Sequence, residues 1–122
     1  MLDEIVNRYE HFSDALISNI LYQVYENKKT VSVTVNCMNK CKDYEFEVIR
    51  LVFEDVISIR FVEEENVSSL LVNAALIKKV NGVIIVDFFP LFYGENDLRE
   101  NVESDFMIKC RGIHYDEVNK EV

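Results

Sequence analysis

The sequence predicts an α+β fold that is mainly β: an antiparallel sheet of six or seven strands, curled into a sandwich or a partly open barrel, with a short N-terminal helix. Two observations predict it. Apolar and polar residues alternate with a period of two along most of the chain, and an Asn-Gly pair lies between two β-branched runs at residues 81–82. Because the chain has 122 residues, we expect a single domain, 1–122, with its own core.

The most clearly predicted element is a hairpin around this Asn-Gly pair. A two-residue type I′ turn needs a positive φ at both central positions, which Asn and Gly adopt most readily. The predicted pairing opposes Val80 to Val83 and continues residue by residue to Ala75 opposite Phe88. Side-chain alternation gives the hairpin one nearly pure apolar face, which we expect in the core, in the middle of the sheet. Its mixed face, which the helix, another sheet or a partner must cover, consists of Leu76, Lys78, Val80, Val83, Ile85 and Asp87.

The first third of the chain predicts a short helix followed by a hairpin. Leu2, Ile5 and Tyr9 recur at helical spacing within residues 2–11. Residues 30–38 alternate strictly, which predicts a strand, and the polar residues 26–29 predict a turn before it. The segment between helix and turn, 15–25, fits two structures. We favour a strand paired with 30–38, and the alternative is one helix from near residue 2 to residue 26.

The middle of the chain predicts two strands, 44–53 and 56–62. The acidic pair Glu54-Asp55 between them predicts a turn. The alternation slips by one residue after Val48, which is what a β-bulge produces.

The last part of the chain predicts a long loop and a closing strand. Residues 67–73 fit either a short helical turn or an irregular entry into the Asn-Gly hairpin. Gly, Asn and Asp are frequent in 93–104, which predicts a loop. The final strand, 105–118, slips in phase at Arg111-Gly112, and a Gly at such a slip predicts a second bulge.

The charge of the chain argues against several classes of partner. Its formal net charge is −9 and its pI is about 4.7. Nucleic acids and anionic membranes are therefore not expected as partners, because both are bound through Lys and Arg. No run reaches the roughly 18 apolar residues that a membrane helix needs. A basic protein partner is compatible with this charge, and an acidity that only keeps the protein soluble is the alternative.

The cysteines and histidines do not predict a metal or catalytic site. Cys37 and Cys41 are spaced C-x3-C rather than C-x2-C, and Cys37 and Cys110 both fall on the apolar phase of a strand. Cys110 and His114 lie about 13 Å apart on one extended strand, too far for a nucleophile and its base. We therefore expect no catalytic residue, no metal and no cofactor. No signal-peptide pattern leads the chain, so we expect a cytoplasmic protein with reduced thiols.

One carboxylate has an unusual context. Asp87 lies within an otherwise apolar run, on the mixed face of the hairpin. Two structural interpretations stay open for it, an ion pair with the diagonal neighbour Lys78 and a carboxylate that accepts hydrogen bonds in a turn.

The acidic segments are the candidate partner-binding residues. Two groups of carboxylates stand out, one around the predicted strand 56–62 and one in the predicted loop 93–104, and a solvated face is the alternative interpretation of both. Tyr22, Phe92 and Tyr93 are candidate aromatic anchors beside them. The candidate residues are Glu54, Asp55, Glu63, Glu64, Glu65, Glu95, Asp97 and Glu100.

Three short segments resemble a known class of bacterial proteins. They are HFSDALI at residues 11–17, IRLVFEDV at 49–56 and FMIKC at 106–110. This pattern resembles small bacterial β-rich domains that include immunity proteins of polymorphic and contact-dependent toxin systems. The resemblance implies a cytoplasmic protein without catalysis of its own, which binds and blocks a toxin. A charge of −9 would suit a basic nuclease as that toxin.

The sequence thus predicts a non-enzymatic protein-binding domain that acts through acidic loops, and the resemblance implies that it is an immunity-type protein that neutralises a basic toxin. Two alternatives stay open. A homo-oligomeric structural domain would form a homodimer through the mixed hairpin face. A small-molecule-binding barrel, or an enzyme with an interior carboxylate, would need a deep pocket with convergent polar groups.

Overall fold

The computed structural model describes residues 1–65, 70–94 and 97–118. Its elements are the helix α1 (Leu2–Tyr9) and the strands β1 (Ala15–Tyr25), β2 (Lys28–Asn39), β3 (Glu45–Phe61), β4 (Leu71–Val72), β5 (Leu76–Val80), β6 (Val83–Asp87), β7 (Leu91–Phe92), β8 (Leu98–Arg99) and β9 (Phe106–Glu117). Seven strands form one antiparallel sheet in the order β4-β1-β2-β3-β9-β6-β5, curled into a half-barrel, while β7 and β8 pair separately. The predicted fold class is confirmed.

The helix α1 packs against β2 and β9 at one end of the sheet. Its buried residues are Ile5 and Tyr9, as the helical spacing predicts. The Tyr9 ring stacks on Phe12 at 5.6 Å between centroids and meets the edge of Tyr115 at 5.5 Å. After the helix, Glu10, Phe12 and Asp14 all adopt positive φ angles, which turn the chain sharply into β1. The alternative of one helix from residue 2 to 26 is therefore wrong.

The segment 15–25 is a strand, β1, paired with β2 as favoured. Its turn is tighter than predicted, because Tyr25 pairs directly with Lys28 and leaves only Glu26 and Asn27 as loop residues. Both have positive φ angles, 48° and 66°. This is the geometry of a type I′ turn, whose twist matches that of the flanking strands.

The predicted turn at Glu54-Asp55 is wrong, since β3 runs through it as one strand of 17 residues. Asp55 adopts a φ of 50°, and the pairing with β9 shifts between Val56 and Ser58. A short polar side chain tolerates the left-handed conformation, so the strand bends here without ending. The bulge predicted after Val48 is also wrong. The register with β2 is unbroken there, and the outward Tyr44 and Phe46 are simply exposed apolar residues.

The last strand changes phase at Arg111-Gly112, as predicted. Cys110 faces the core on one side of this point and Ile113 on the other. The strand β3 changes phase opposite it, so Phe53 pairs with Ile113 and Val56 with Cys110, and all four remain in the core. The extra residue of the bulge lies on β3 rather than on β9, which corrects the prediction.

The Asn-Gly hairpin, β5 and β6, has the predicted register from Val80–Val83 to Leu76–Asp87. Asn81 and Gly82 have φ angles of 51° and 79°. Its predicted position is wrong, because β5 is an edge strand and β3 is the middle strand of the sheet. Of the predicted entry at 67–73, residues 67–69 lie outside the described residues, and 71–72 form the short strand β4.

The concave side of the half-barrel is filled with apolar side chains. Phe88 stacks on Phe106 with centroids 4.5 Å apart, and the thiols of Cys37 and Cys110 are buried among these residues. Within the described ranges, no helix has the length and hydropathy needed to cross a membrane. The largest fully buried side chains include Ile5, Phe12, Ile17, Ile49, Leu51, Phe53, Phe88, Phe106 and Ile108.

Candidate protein-binding surface

Residues 88–105 are tied to the sheet by the carboxylate of Asp87. This side chain is 0% exposed, and its Oδ1 accepts a hydrogen bond from the Phe89 amide (3.0 Å) while Oδ2 accepts one from the Asn101 amide (2.8 Å). Asn101 Nδ2 in turn donates to the Phe89 carbonyl at 3.1 Å. The predicted pair of Asp87 with Lys78 is wrong, since Lys78 Nζ lies 3.3 Å from Glu100 Oε1. The other structural interpretation, a carboxylate that accepts backbone hydrogen bonds, is confirmed.

This segment covers part of the mixed face of the β5–β6 hairpin. Ile85 and Asp87 belong to that face, and Met107 is paired with Asp87 on β9. All three are buried, and the groups that bind Asp87 come from the 88–105 segment. The half of the mixed face nearest to the end of β6 is therefore covered by the chain itself.

A small hairpin, β7 with β8, presents aromatic residues to solvent within this segment. Leu91 pairs with Arg99, and Phe92 with Leu98. The exposed fractions of Leu91, Phe92 and Tyr93 are 41%, 55% and 59%. Arg99 holds the end of the hairpin, because its guanidinium lies 4.3 Å from the Tyr93 ring centroid.

Carboxylates surround this small hairpin. Asp97 forms a two-bond ion pair with Arg99, at 3.0 and 3.3 Å, and Glu100 binds Lys78. Glu103 is exposed. Residues 63–65 leave β3 beside the segment, since the Val62 amide donates to the Asp105 carbonyl at 2.7 Å. We call residues 62–65 and 91–105, as far as they are described, the acidic-aromatic surface.

The structure separates the remaining candidates from this surface. Glu54 and Asp55 lie at the bend of β3, roughly 26–30 Å from Glu63 along an extended chain. There, Glu54 Oε1 lies 3.3 Å from His114 Nδ1, and both carboxylates line an open cleft of about 290 Å³ with Lys28 and Lys29. Tyr22 lies on β1 rather than among the acidic residues. Glu95 lies outside the described residues.

A polar cluster that the sequence reasoning missed closes the opposite end of the sheet. Glu47 Oε1 accepts hydrogen bonds from the Tyr9 hydroxyl (2.7 Å) and Asn39 Nδ2 (2.8 Å), and Oε2 accepts one from Lys42 Nζ (2.9 Å). A signal for it exists in the sequence. Asn39 and Glu47 continue the inward phase of the apolar strands β2 and β3. Their polar side chains therefore both point inward, where each needs a hydrogen-bond partner.

The protonation of this cluster follows from its contacts. Burial alone would raise the pKa of the Glu47 carboxyl, but the hydrogen bonds from Tyr9, Lys42 and Asn39 outweigh it and hold that pKa below its usual value. Burial, followed by the hydrogen bond to Glu47, raises the pKa of the Tyr9 hydroxyl far above its usual value. The cluster therefore holds an ionised acceptor and a neutral donor, which is a structural tie between α1 and the sheet.

The remaining chemical features of the described residues are the cysteine thiols and two surface clefts. Burial raises the pKa of Cys37 to about 12 and that of Cys110 to about 11, whereas Cys41 is exposed. No group of three His, Cys, Asp or Glu side chains in the described ranges is arranged to hold a metal ion. Two more clefts, of about 100 and 340 Å³, open to solvent beside α1.

Comparisons with protein-family models, with curated proteins and with solved structures find no match to this chain. The function is therefore argued from the surfaces of the chain itself.

Proposed function

We propose that this chain is a non-enzymatic protein-binding domain that captures a basic protein through the acidic-aromatic surface. The observation that carries the proposal is the exposure of Leu91, Phe92 and Tyr93 on one short hairpin. Large apolar side chains side by side on a surface are typical of binding sites, and tyrosine is enriched among the residues that dominate binding energy.

The backbone under these anchors is held before any partner arrives. Asp87 and Asn101 fasten both ends of the segment by three hydrogen bonds, and the Asn101 side chain accepts a fourth from the Glu103 amide at 3.0 Å. A preorganised segment loses less conformational entropy on binding. The hairpin therefore has its conformation before binding, unlike a loop that must fold on contact with a partner.

The carboxylates around the hairpin favour a basic partner. Asp97 and Glu100 are already neutralised within the chain, so the charge for a partner comes chiefly from Glu103, Glu64 and Glu65 on the exposed edge. With a formal charge of −9 over the chain, complementary charge would speed the encounter and make it sensitive to salt.

The specific partner that we propose is a basic toxin, with the chain as its immunity protein. This part rests on the sequence resemblance of residues 11–17, 49–56 and 106–110. A cytoplasmic location belongs to the same proposal, and the three free thiols of the chain are consistent with a reducing compartment.

The proposal is tested with the proteins encoded beside its gene, each mixed with the purified chain. One variant reverses Glu63, Glu64 and Glu65 to Lys, and a control variant reverses Asp3, Glu45 and Asp116, which are exposed on α1, β3 and β9. Each reversal adds two charges, so both variants change from −9 to −3. We expect a stable complex whose association slows about tenfold or more in the first variant and much less in the control, measured by stopped flow at low salt.

The anchors provide a second readout from the same complex. Phe92→Ala should increase the dissociation rate roughly 30-fold, which corresponds to about 2 kcal/mol. Association at an unchanged rate in the triple variant, together with unchanged dissociation for Phe92→Ala, would show that the partner binds elsewhere.

A further inference from the structure

The β1–β2 hairpin extends beyond the rest of the sheet as a two-stranded arm. The pairing of β2 with β3 ends at Val31 opposite Phe53, while the pairing of β2 with β1 continues to the turn. On this extension, Lys28, Lys29 and Thr30 line an open cleft with Glu54 and Asp55 of β3. Two large apolar side chains lie on the extension, Val24 with an exposed fraction of 58% and Tyr25 with 73%, and just before it on β1 the exposed fractions are 47% for Leu21 and 48% for Tyr22.

The outer edge of β1 is open over the same stretch. In the described part of the chain, β4 pairs only with Ala15 and Leu16, and the Ile17 amide donates to the Leu70 carbonyl at 2.8 Å. Beyond Ile17, no described strand occupies this edge. Unpaired backbone N–H and C=O groups in a row are a template for another strand.

The edge of β1 lacks the charged residues that usually protect an edge strand. None of its eleven residues is charged, in a chain in which 29% of residues are. The other edge strand, β5, carries Lys78 and Lys79 in five residues. Proteins use such lysines to keep edges from pairing with other chains, so β5 is protected and β1 has only the bulge near Ser18.

We propose that a second copy of this chain occupies the edge of β1, strand against strand and antiparallel, so that the sheets of two copies become continuous across a two-fold axis. A two-fold contact uses the same patch twice, and β1 can supply both sides of it. The charge favours a copy over a basic partner at this site. Each copy carries −9, and two such molecules approach with least repulsion where neither has a carboxylate.

The area available is consistent with a stable dimer. The four exposed apolar side chains offer roughly 400 Å² per copy. The strand edge and the neighbouring Leu16 and Leu71, both half exposed, enlarge this towards the roughly 800 Å² per partner of a standard interface. This inference does not rest on the proposed function, because the acidic-aromatic surface consists of residues outside β1.

The test is the mass of the chain in solution, measured by size exclusion with light scattering at about 100 µM, far above the dissociation constant of a standard interface. We expect twice 14.3 kDa for the wild type. Tyr22→Lys with Val24→Lys places like charges face to face at the two-fold axis and should raise the dimer dissociation constant at least about 100-fold. The matched control, Phe92→Lys with Tyr93→Lys, changes the net charge equally and should remain dimeric.

Hydrogen exchange of the wild type provides a second measurement that does not depend on how a variant folds. The amides of residues 18–25 should become protected as the protein concentration rises. Adding salt to about 0.5 M should leave the dimer intact or strengthen it, since it screens the repulsion of two acidic chains, whereas it should weaken a complex with a basic partner. A monomeric wild type, a dimer that survives the β1 substitutions, or protection of β1 by an added foreign protein alone would each overturn the inference.

Discussion

The two hairpins of this protein share the same local design and differ in what covers them. The arm turns at Glu26-Asn27 and the β5–β6 hairpin at Asn81-Gly82, and all four residues have positive φ angles. Both hairpins have two-residue loops, and the register is unbroken from Asn19 to the turn in β1–β2 and throughout β5–β6. One face of the β5–β6 hairpin is in the core, and part of the other lies under residues 88–105. On the arm beyond Val31, the large apolar side chains Val24 and Tyr25 are exposed.

This difference separates the formation of a hairpin from its stabilisation. A turn sequence sets the register, but an isolated two-stranded hairpin is marginal in water and needs packing on a face. The β5–β6 hairpin obtains that packing from a segment that follows it in the chain. The arm keeps Val24 and Tyr25 exposed, and in the dimer that we propose a second copy supplies packing for them. The arm is thus the region to test for assembly.

The largest expected effect comes from uncovering the β5–β6 hairpin with Asp87→Ala. The amides of Phe89 and Asn101 would lose their acceptor, and a buried donor without a partner costs about 1–3 kcal/mol. We expect the free energy of unfolding, measured in urea, to fall by about 2–5 kcal/mol.

Asp97→Ala is the matched control for that substitution. Its carboxylate is bound to an exposed Arg99, and a surface ion pair is worth at most about 1 kcal/mol. Equal losses in the two variants would mean that the segment 88–105 does not depend on its buried tether, and that the two hairpins are less different than they look.

The same comparison shows which features could be predicted from sequence. The register of β5–β6 follows from two residues, Asn81 and Gly82, because a turn of this type leaves one pairing. The segment that covers part of this hairpin could not be predicted. Asp87 accepts a hydrogen bond from an amide 14 residues away, and the local sequence at either position gives no indication of the other. The prediction of a turn at Glu54-Asp55 was wrong for a similar reason. A polar residue at positive φ fits a turn or a bulge, and only the partner strand β9 decides between them.

The candidate site divides in the same way. Phe92, Tyr93 and Asp97 share one surface because they are neighbours in the chain, and that grouping was visible in the sequence. Glu54 and Glu63 were grouped because they flank one predicted strand, 56–62, but the two ends of a strand of that length lie roughly 20 Å apart. That no described strand lies along β1 beyond Ile17 could not be predicted at all, because an edge is defined by what lies beside it rather than by its own residues.

The next largest effect is expected at the other end of β2, where the polar cluster around Glu47 closes the sheet. Tyr9→Phe removes the hydroxyl that donates to Glu47 at 2.7 Å, and a hydrogen bond to a charged group contributes about 1.5–3 kcal/mol. Tyr44→Phe is the matched control, because its hydroxyl donates to Glu10 on the exposed surface. We expect urea unfolding to show a loss of about 1.5–3 kcal/mol for the first variant and under about 0.5 kcal/mol for the second.

The pH dependence of that difference follows from the two shifted groups. The folded-state pKa of Glu47 is lowered, so its stabilisation is complete above the unfolded value near 4.5 and is lost as the pH falls through the folded pKa. The folded-state pKa of Tyr9 is raised, so the wild type also loses stability as the pH rises above 10. The difference between wild type and Tyr9→Phe should therefore be largest between these limits. A difference that does not vary with pH would mean that the lost contribution is packing rather than the hydrogen bond to a carboxylate.

The smallest effect compares the two hairpins by the same substitution, Asn27→Ala and Asn81→Ala. Each Asn has a positive φ, 66° and 51°, and a left-handed alanine costs roughly 1 kcal/mol more because its side chain cannot bond to the local backbone. In the covered hairpin, that cost should appear in full as a loss of global stability in urea. The arm is tested in a chain that Tyr22→Lys with Val24→Lys keeps monomeric. There, the cost of Asn27→Ala should appear as faster local hydrogen exchange of residues 21–29, with little change in global unfolding. Equal global losses would show that the arm unfolds with the core and that cover from another molecule is not what stabilises it.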